Sequence, residues 1–173
     1  DTLRFGTRLV REIVATWASL DTIDFNHLEY PHWPRSGLRD LFVCFCDHCR
    51  DKAEAEGIDF DGVQRDAESL YDALISPGAY IATPPTGLSA NDLLSFLVER
   101  PQIATWLNFR ASSMSEFTRQ VTQAGREAAK EHNPDLEIGA SFHLPAISRL
   151  VGTDFRAHYR LFDWVSPKFP DYV

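Results

Sequence analysis

The sequence predicts an α/β fold, specifically the central part of a (β/α)8 TIM barrel. Three observations favour this fold. Three short apolar segments have the length of buried strands, segments with helical periodicity stand between them, and polar residues follow the strands at their carboxyl ends. Three strands are too few to close a barrel, which typically needs about 250 residues. We therefore expect residues 1–173 to form the middle of a single barrel domain, with a long irregular excursion over about residues 35–100.

The first helix and strand are predicted from two different periodicities. Residues 3–20 carry apolar side chains three and four positions apart, which indicates an amphipathic helix. Ile23–Leu28 is apolar and alternating, as expected of a buried strand, and Pro31 and Pro34 prevent regular pairing beyond it. A helix that leads directly into a strand is half of a parallel βαβ unit.

The middle of the chain is predicted to be helical and irregular. A loop over residues 35–49 leads into a helix that ends at Gly57, and Asp61 is expected to cap a second helix over 62–75. Residues 76–90 are rich in Pro, Gly, Ser and Thr, which is typical of an irregular surface loop.

The last third of the chain returns to the alternation of helix and strand. Residues 101–131 have a continuous helical stripe, and a break near residues 112–113 is left open because thirty residues is long for one helix. A second strand follows over 136–144, then a short helix or turn over 154–162, and a third strand over Phe162–Ser166 that Pro167 ends. A flavodoxin-like sheet is the structural alternative, disfavoured because no glycine-rich phosphate loop follows any strand.

Composition and charge exclude several classes of function. A hydrophobic content of 44% in 173 residues fits one globular domain, and a net charge of −8 argues against nucleic-acid binding. No apolar segment approaches the roughly 20 residues that cross a bilayer, and no signal peptide is visible. The unpaired edges of a three-stranded sheet would also permit pairing between copies, so a homo-oligomer is left open.

Polar residues at the strand ends are the candidate binding and catalytic groups. The first strand is followed by His27, Glu29, His32 and Trp33, a set that fits a site for a sugar or another polar ligand. His143 ends the second strand and, with His27 and His32, is a candidate for binding substrate oxygens, while Trp33 could stack on a sugar ring. Lys168 lies just after the third strand and could reach a substrate oxygen or a carboxylate. The alternative for each histidine is a structural residue whose hydrogen bonds are satisfied within the protein, and the alternative for the tryptophan is packing alone.

Glu29 is the candidate general acid/base. A carboxyl group beside Tyr30 and Trp33 would be partly desolvated, which suits proton transfer to a leaving oxygen. The alternative is a buried carboxylate that pairs with Arg35 or Arg110 and only holds strand ends together. Asp24, nearer the amino end of the same strand, is expected to be structural, and Asp171 is a candidate for the second carboxylate.

Cys44, Cys46 and Cys49 form a candidate metal site. Three cysteines within six residues do not resemble a disulfide framework, and thiolates at short spacing are suited to tetrahedral Zn²⁺. We expect a structural zinc with a fourth ligand outside the chain, or with His32 or His48 as a local ligand. Three reduced thiols without metal are the alternative. A reduced cluster favours the cytoplasm, although the compartment is otherwise undetermined.

Two motifs carry a resemblance to a known family. The segment from His27 to Pro34 resembles the end of strand 4 in TIM-barrel glycoside hydrolases, and Cys44-x-Cys46-x-x-Cys49 is similar to the cysteine cluster that follows strand 4 in family 42 β-galactosidases. The segment Trp106–Arg110, which opens a long helix before the next strand, is also similar to a segment of these hydrolases. The resemblance implies strands 4 to 6 of a barrel, a carbohydrate substrate, Glu29 as acid/base, a nucleophile on a later strand, and a further cysteine ligand upstream.

Two other functions remain open at the level of the sequence. The first is a non-catalytic carbohydrate-binding or structural barrel in which Glu29 forms an ion pair. The second is a metal-dependent enzyme of another class, with His27, Glu29 and His32 as ligands.

Overall fold

The computed structural model describes residues 2–31, 42–75, 95 and 98–168. The chain divides into two compact units, the first made of Asp1–Tyr30 and Arg110–Val173 and the second of Pro31–Phe109. The loop predicted over 76–90 and the first part of the loop predicted over 35–49 lie outside the described residues.

The elements alternate between helix and strand only in the first unit. In chain order they are α1 (Thr2–Thr16), β1 (Thr22–Asn26), α2 (Asp47–Ala55), α3 (Phe60–Ile75), α4 (Gln102–His132), β2 (Glu137–His143), α5 (Pro145–Ser148), α6 (Phe155–His158) and β3 (Trp164–Lys168). Short 3-10 turns, Arg149–Val151 and Tyr159–Leu161, follow α5 and α6. None of the helices in the described part of the chain has the length and apolar character needed to cross a bilayer.

The three strands form one parallel sheet in the order β1-β2-β3. One face of the sheet packs on α1 and α4 because alternate residues of the strands are apolar. The core of this unit comprises Val10, Val14, Val121, Ala124, Ala128, Ala129, Leu136, Ile138, Ala140, Phe142 and Phe162. The parallel strands predicted from the apolar segments are therefore present.

The opposite face of the sheet carries polar cross-strand contacts. Ser141 Oγ donates to Asp24 Oδ2 at 2.8 Å, which agrees with the structural role expected for Asp24. Trp164 Nε1 donates to Thr22 Oγ1 at 3.1 Å. The indole of Trp164 lies directly over Gly139, and a Cβ at Gly139 would overlap the ring. Absence of a side chain at Gly139 is what lets Trp164 span the sheet.

The prediction of a (β/α)8 TIM barrel is wrong. The chain is mainly helical, and its described residues contain a small sheet of three parallel strands rather than a closed barrel. The apolar segments identified real strands, but α2, α3 and the 31 residues of α4 supply most of the regular structure. Local periodicity indicates single elements and does not determine how many strands a sheet contains.

One boundary that the sequence left open is settled, and one predicted boundary is corrected. Helix α4 continues without a break through residues 112–113, because serine lowers helix propensity only modestly and the half-buried Phe117 keeps the helix packed on the core between Ala111 and Thr118. Pro167 lies within β3, paired in register with Phe142, instead of ending the strand. β3 has a single strand neighbour, β2, among the described residues, and an edge strand tolerates a residue without an N–H group.

The second unit contains α2, α3 and the first turns of α4. Gly57 has a φ of 74°, a left-handed conformation that ends α2 as the sequence predicted. Asp59, rather than Asp61, caps α3, because Gly62 N–H donates to Asp59 Oδ1 at 2.9 Å while Asp61 pairs with Arg50. The core of this unit comprises Ala53, Phe60 and Phe109 with Phe45, Cys49 and Ile58 packed against them.

Candidate functional site

The first candidate site begins where β1 ends. Asn26 is the last residue of the strand, and His27 follows with a φ of 61°, a left-handed conformation that is uncommon for a residue with a side chain. This turn redirects the chain, and Glu29 follows two residues later. Non-glycine residues in this conformation are often found at functional sites, where the surroundings hold them.

One oxygen of Glu29 is shared by three nitrogen groups. The Glu29 side chain is 3% exposed, and its Oε1 lies 2.9 Å from His27 Nδ1 and 3.4 Å from His143 Nε2. Lys168 Nζ donates to the same oxygen at 3.3 Å. We call these four side chains the Glu29 cluster. It is a polar group assembled around a buried carboxylate.

The sheet explains why these residues meet. His143 and Lys168 are the last residues of β2 and β3 and are paired with each other in register. Parallel strands end at the same edge of a sheet, so their terminal side chains lie close to the loop that follows β1. Burial leaves His143 7% and Lys168 16% exposed, whereas His27 is 68% exposed and faces solvent.

Four of the six predicted catalytic and substrate-binding residues are thus brought together: His27, Glu29, His143 and Lys168. His32, Trp33 and Asp171 lie outside the described residues. Arg110, considered as a partner for Glu29, places its guanidinium over the ring of Tyr30, 4.5 Å from the ring centroid.

Sequence reasoning missed the support behind Glu29. Tyr30 N–H donates to Val151 O at 2.9 Å, and the Tyr30 ring lies against Gly152, which has a φ of 75°. Glycine after a short helical segment was the available signal, because this residue is the usual choice for a left-handed turn. The packing of Tyr30 on that turn joins distant segments, so no local sequence pattern predicts it.

The second candidate site is the group of Cys44, Cys46 and Cys49, here called the cysteine cluster. Cys46 is the N-cap residue of α2 and Cys49 lies in its first turn, so the helix start brings the thiols together. Cys49 Sγ donates to Cys44 Sγ at 3.0 Å, and Cys46 Sγ lies 3.4 Å from Cys44 Sγ. All three sulfur atoms lie within 4.8 Å of one another and could hold one metal ion.

The thiols of the cysteine cluster differ in acidity. The backbone N–H of Cys49, followed by the Cys44 side chain, lowers the pKa of Cys46. Burial, followed by the hydrogen bond with Cys44, raises the pKa of Cys49 well above its usual value. Three crowded sulfur donors, one of them with a lowered pKa, fit a soft metal ion, since thiolates are the ligands that such ions prefer.

Aromatic packing connects the cysteine cluster to the core of the second unit. Phe45, between two of the cysteines, stacks on Trp106 with ring centroids 6.0 Å apart and contacts Phe60 edge-on. Phe42 also stacks on Trp106, at 5.5 Å. The indole of Trp106 is 4% exposed, so its surroundings depend on how the cysteine segment is held.

A groove of about 530 Å³ lies elsewhere in the first unit, between α1 and α4. Arg11 and Glu127 form an exposed ion pair across it at 3.0 Å. The groove contains neither of the two clusters, and its charged walls are typical of a solvated helix surface.

Comparison with known proteins gives no relative. The chain matches no protein-family model, no curated protein and no solved structure. Any function therefore has to be supported by the chemistry of the Glu29 cluster and the cysteine cluster.

Proposed function

We propose that the chain carries the general acid/base of a glycoside hydrolase that acts on O-glycosidic bonds, and that Glu29 is this residue. The observation that supports the proposal is the burial of one carboxylate, 3% exposed, among His27, His143 and Lys168 at the carboxyl ends of three parallel strands. The expected substrate is a carbohydrate, whose hydroxyl groups suit the imidazole and ammonium groups around Glu29.

Glu29 would act together with a second carboxylate. Its Oε1 is engaged with the three nitrogen groups, which hold the carboxyl group in place. A second carboxylate must lie about 5–5.5 Å away for retention, or about 6.5–9.5 Å away for inversion. That residue would come from another part of the protein. His143 and Lys168 would position the sugar and keep the carboxylate oriented.

The test compares substrates that differ only in their leaving group. In Glu29→Gln we expect turnover of aryl glycosides with poor leaving groups to fall about 10²–10⁴-fold, because they require protonation. For glycosides whose leaving group departs without protonation, the rate of the bond-breaking step should fall much less. Sugar binding, measured by calorimetry, should persist. Glu137→Gln, the same change at the exposed amino end of β2, is the matched control.

Two results would contradict this role. Turnover of poor-leaving-group substrates that is unchanged in Glu29→Gln would exclude Glu29 as acid/base. An equal loss for both classes of substrate, with binding retained, would indicate a nucleophile or positioning role instead.

A second candidate function is supported by the contact between Glu29 and Lys168. An ion pair with both side chains largely buried and 3.3 Å apart also suits a non-catalytic carbohydrate-binding or structural protein. In that case no glycoside in the panel would be turned over, and Glu29→Gln would change sugar affinity or stability alone.

We also propose that the cysteine cluster binds a structural Zn²⁺ ion. Three thiolates fit tetrahedral zinc, with a fourth ligand outside this set, and a closed thiolate site leaves no position for substrate. Metal analysis of the purified protein should give one zinc per chain, and chelation should lower stability while the folded fraction keeps its turnover. Immediate loss of turnover without unfolding would instead favour a metal-dependent enzyme. Such a site requires reduced thiols, which suits the cytoplasm.

A further inference from the structure

We infer that Arg110 is a positioning residue that acts on Glu29 through Tyr30. The inference rests on the proposed function only in assigning a purpose to Glu29. The structural unit consists of Arg110, Tyr30, Val151 and Gly152, here called the Tyr30 clamp.

The first half of the clamp is a buried cation on an aromatic ring. Arg110 is 1% exposed, and its guanidinium carbon lies 4.5 Å from the centroid of the Tyr30 ring. A guanidinium over an aromatic face is attracted by the ring electrons, and the attraction grows when water is excluded. Arg110 belongs to α4, the longest helix among the described residues, so the ring is held by a rigid element.

The second half of the clamp is the turn that follows α5. Tyr30 N–H donates to Val151 O at 2.9 Å, and the ring rests on Gly152 where any side chain would collide with it. Gly152 also has a φ of 75°, which residues with side chains rarely adopt. Both the backbone and the ring of Tyr30 are thus fixed.

Fixing Tyr30 restricts where Glu29 can lie, because the two residues share a peptide bond. His27, two residues before Glu29, is held in a left-handed conformation, so the short segment is constrained on both sides. The turn that accepts the Tyr30 N–H follows β2, the strand that ends in His143. The clamp therefore connects the two segments that carry Glu29 and His143, whose side chains lie 3.4 Å apart.

The test detects a change in the position of Glu29 without an assay of turnover. The ¹⁵N chemical shifts of the His143 imidazole report on the contact between its Nε2 and the Glu29 carboxylate. Glu29→Gln provides the reference change. We expect Tyr30→Leu, which removes the ring, and Arg110→Met, which removes the cation, to move the His143 shifts in the same direction as Glu29→Gln. Tyr30→Phe keeps the ring and should retain the wild-type shifts.

Two controls separate positioning from general damage. Arg119→Met removes an exposed arginine from the same helix, where it pairs with Glu116, and should leave His143 unchanged. If Arg110→Met fails to fold, Tyr30→Leu and Tyr30→Phe form a pair that differs in the ring alone. Unchanged His143 shifts in folded Tyr30→Leu would overturn the inference.

Kinetics add a second readout once a substrate is found. Arg110→Met should lower kcat about tenfold, with KM within about twofold, because positioning affects the reacting carboxylate more than the bound sugar. Loss of the proposed function and loss of the clamp are distinguishable: absence of turnover in the wild type contradicts the first, whereas the His143 shifts alone decide the second.

Discussion

The Glu29 cluster and the cysteine cluster differ in how the chain builds them. The three cysteines lie within six residues, and the start of one helix gathers their sulfur atoms. Glu29 and Lys168 are 139 residues apart, and they meet because β1, β2 and β3 run in the same direction. The cysteine cluster is local, whereas the Glu29 cluster depends on the topology of the sheet.

This difference determines what each cluster depends on. A local cluster needs only its helix and, as we propose, a metal ion, so its stability should follow metal binding. A cluster assembled from three strands needs the whole sheet and the turns behind it, so its geometry should respond to packing changes far along the chain. Four predictions test this contrast, starting with the largest expected effect.

Cys49→Ser should abolish metal binding and destabilise the second unit. Structural zinc sites contribute about 10–16 kcal/mol of apparent binding free energy in small zinc-dependent domains, so we expect a loss of several kcal/mol. Fluorescence of Trp106, stacked on Phe45, should report the change. Chelation of the wild type should reproduce the variant and should add nothing to it. A variant as stable as the wild type would show that the cluster binds no structural metal.

Lys168→Met should cost about 3–5 kcal/mol of unfolding free energy. The substitution leaves the Glu29 carboxylate, 3% exposed, without its ammonium partner. The double variant with Glu29→Gln should recover much of this loss, and Lys130→Met, at an exposed position, should have little effect. Urea unfolding measures all four proteins. Equal stability of Lys168→Met and the wild type would mean that the contact contributes nothing.

Acid should weaken the first unit through His158. This residue packs on Phe142, beside His143, and burial lowers its pKa to about 4 from an ordinary value of 6.5. Because the folded state binds the proton less readily, its stabilising contribution is complete above pH 6.5 and is lost as the pH falls towards 4. The difference amounts to about 3 kcal/mol.

The measurement is unfolding free energy between pH 7 and 4 for the wild type and His158→Phe. The variant should show a flatter profile in this range, whereas His132→Phe, at an exposed position, should follow the wild type. Parallel profiles for the wild type and His158→Phe would show that this histidine does not set the acid sensitivity.

Arg11→Ala should have the smallest effect, below about 1 kcal/mol. Arg11 and Glu127 are 116 residues apart, yet their side chains are 56% and 50% exposed, and exposed ion pairs contribute little. A double-mutant cycle with Glu127→Ala gives the interaction energy. A value near that of Lys168 and Glu29 would show that sequence separation, rather than burial, determines the strength of such contacts.

The three strands could be predicted from the sequence, because apolar segments locate strands. Since parallel strands share an edge, the sequence also offered Glu29, His143 and Lys168 as candidates for one site, but not the contacts between them. The spacing of the cysteines allowed their clustering to be predicted as well. The barrel was predicted wrongly, since no local pattern counts the strands of a sheet. The prediction that Pro167 ends the third strand is wrong, because a proline is tolerated within an edge strand and the sequence does not show which strands lie at an edge. The Tyr30 clamp depends on contacts between distant segments and could not be derived from periodicity.

The contact between Gly139 and Trp164 has a consequence for how the sequence can change in evolution. The indole lies where a side chain at position 139 would be, and its N–H group reaches Thr22 on the far strand. Neither position can change alone without a collision or a gap. We expect the two to co-vary among homologous sequences, with glycine at 139 wherever 164 is tryptophan and a larger residue at 139 only where 164 is small. An alignment of homologous sequences should therefore show correlated substitutions at positions 139 and 164.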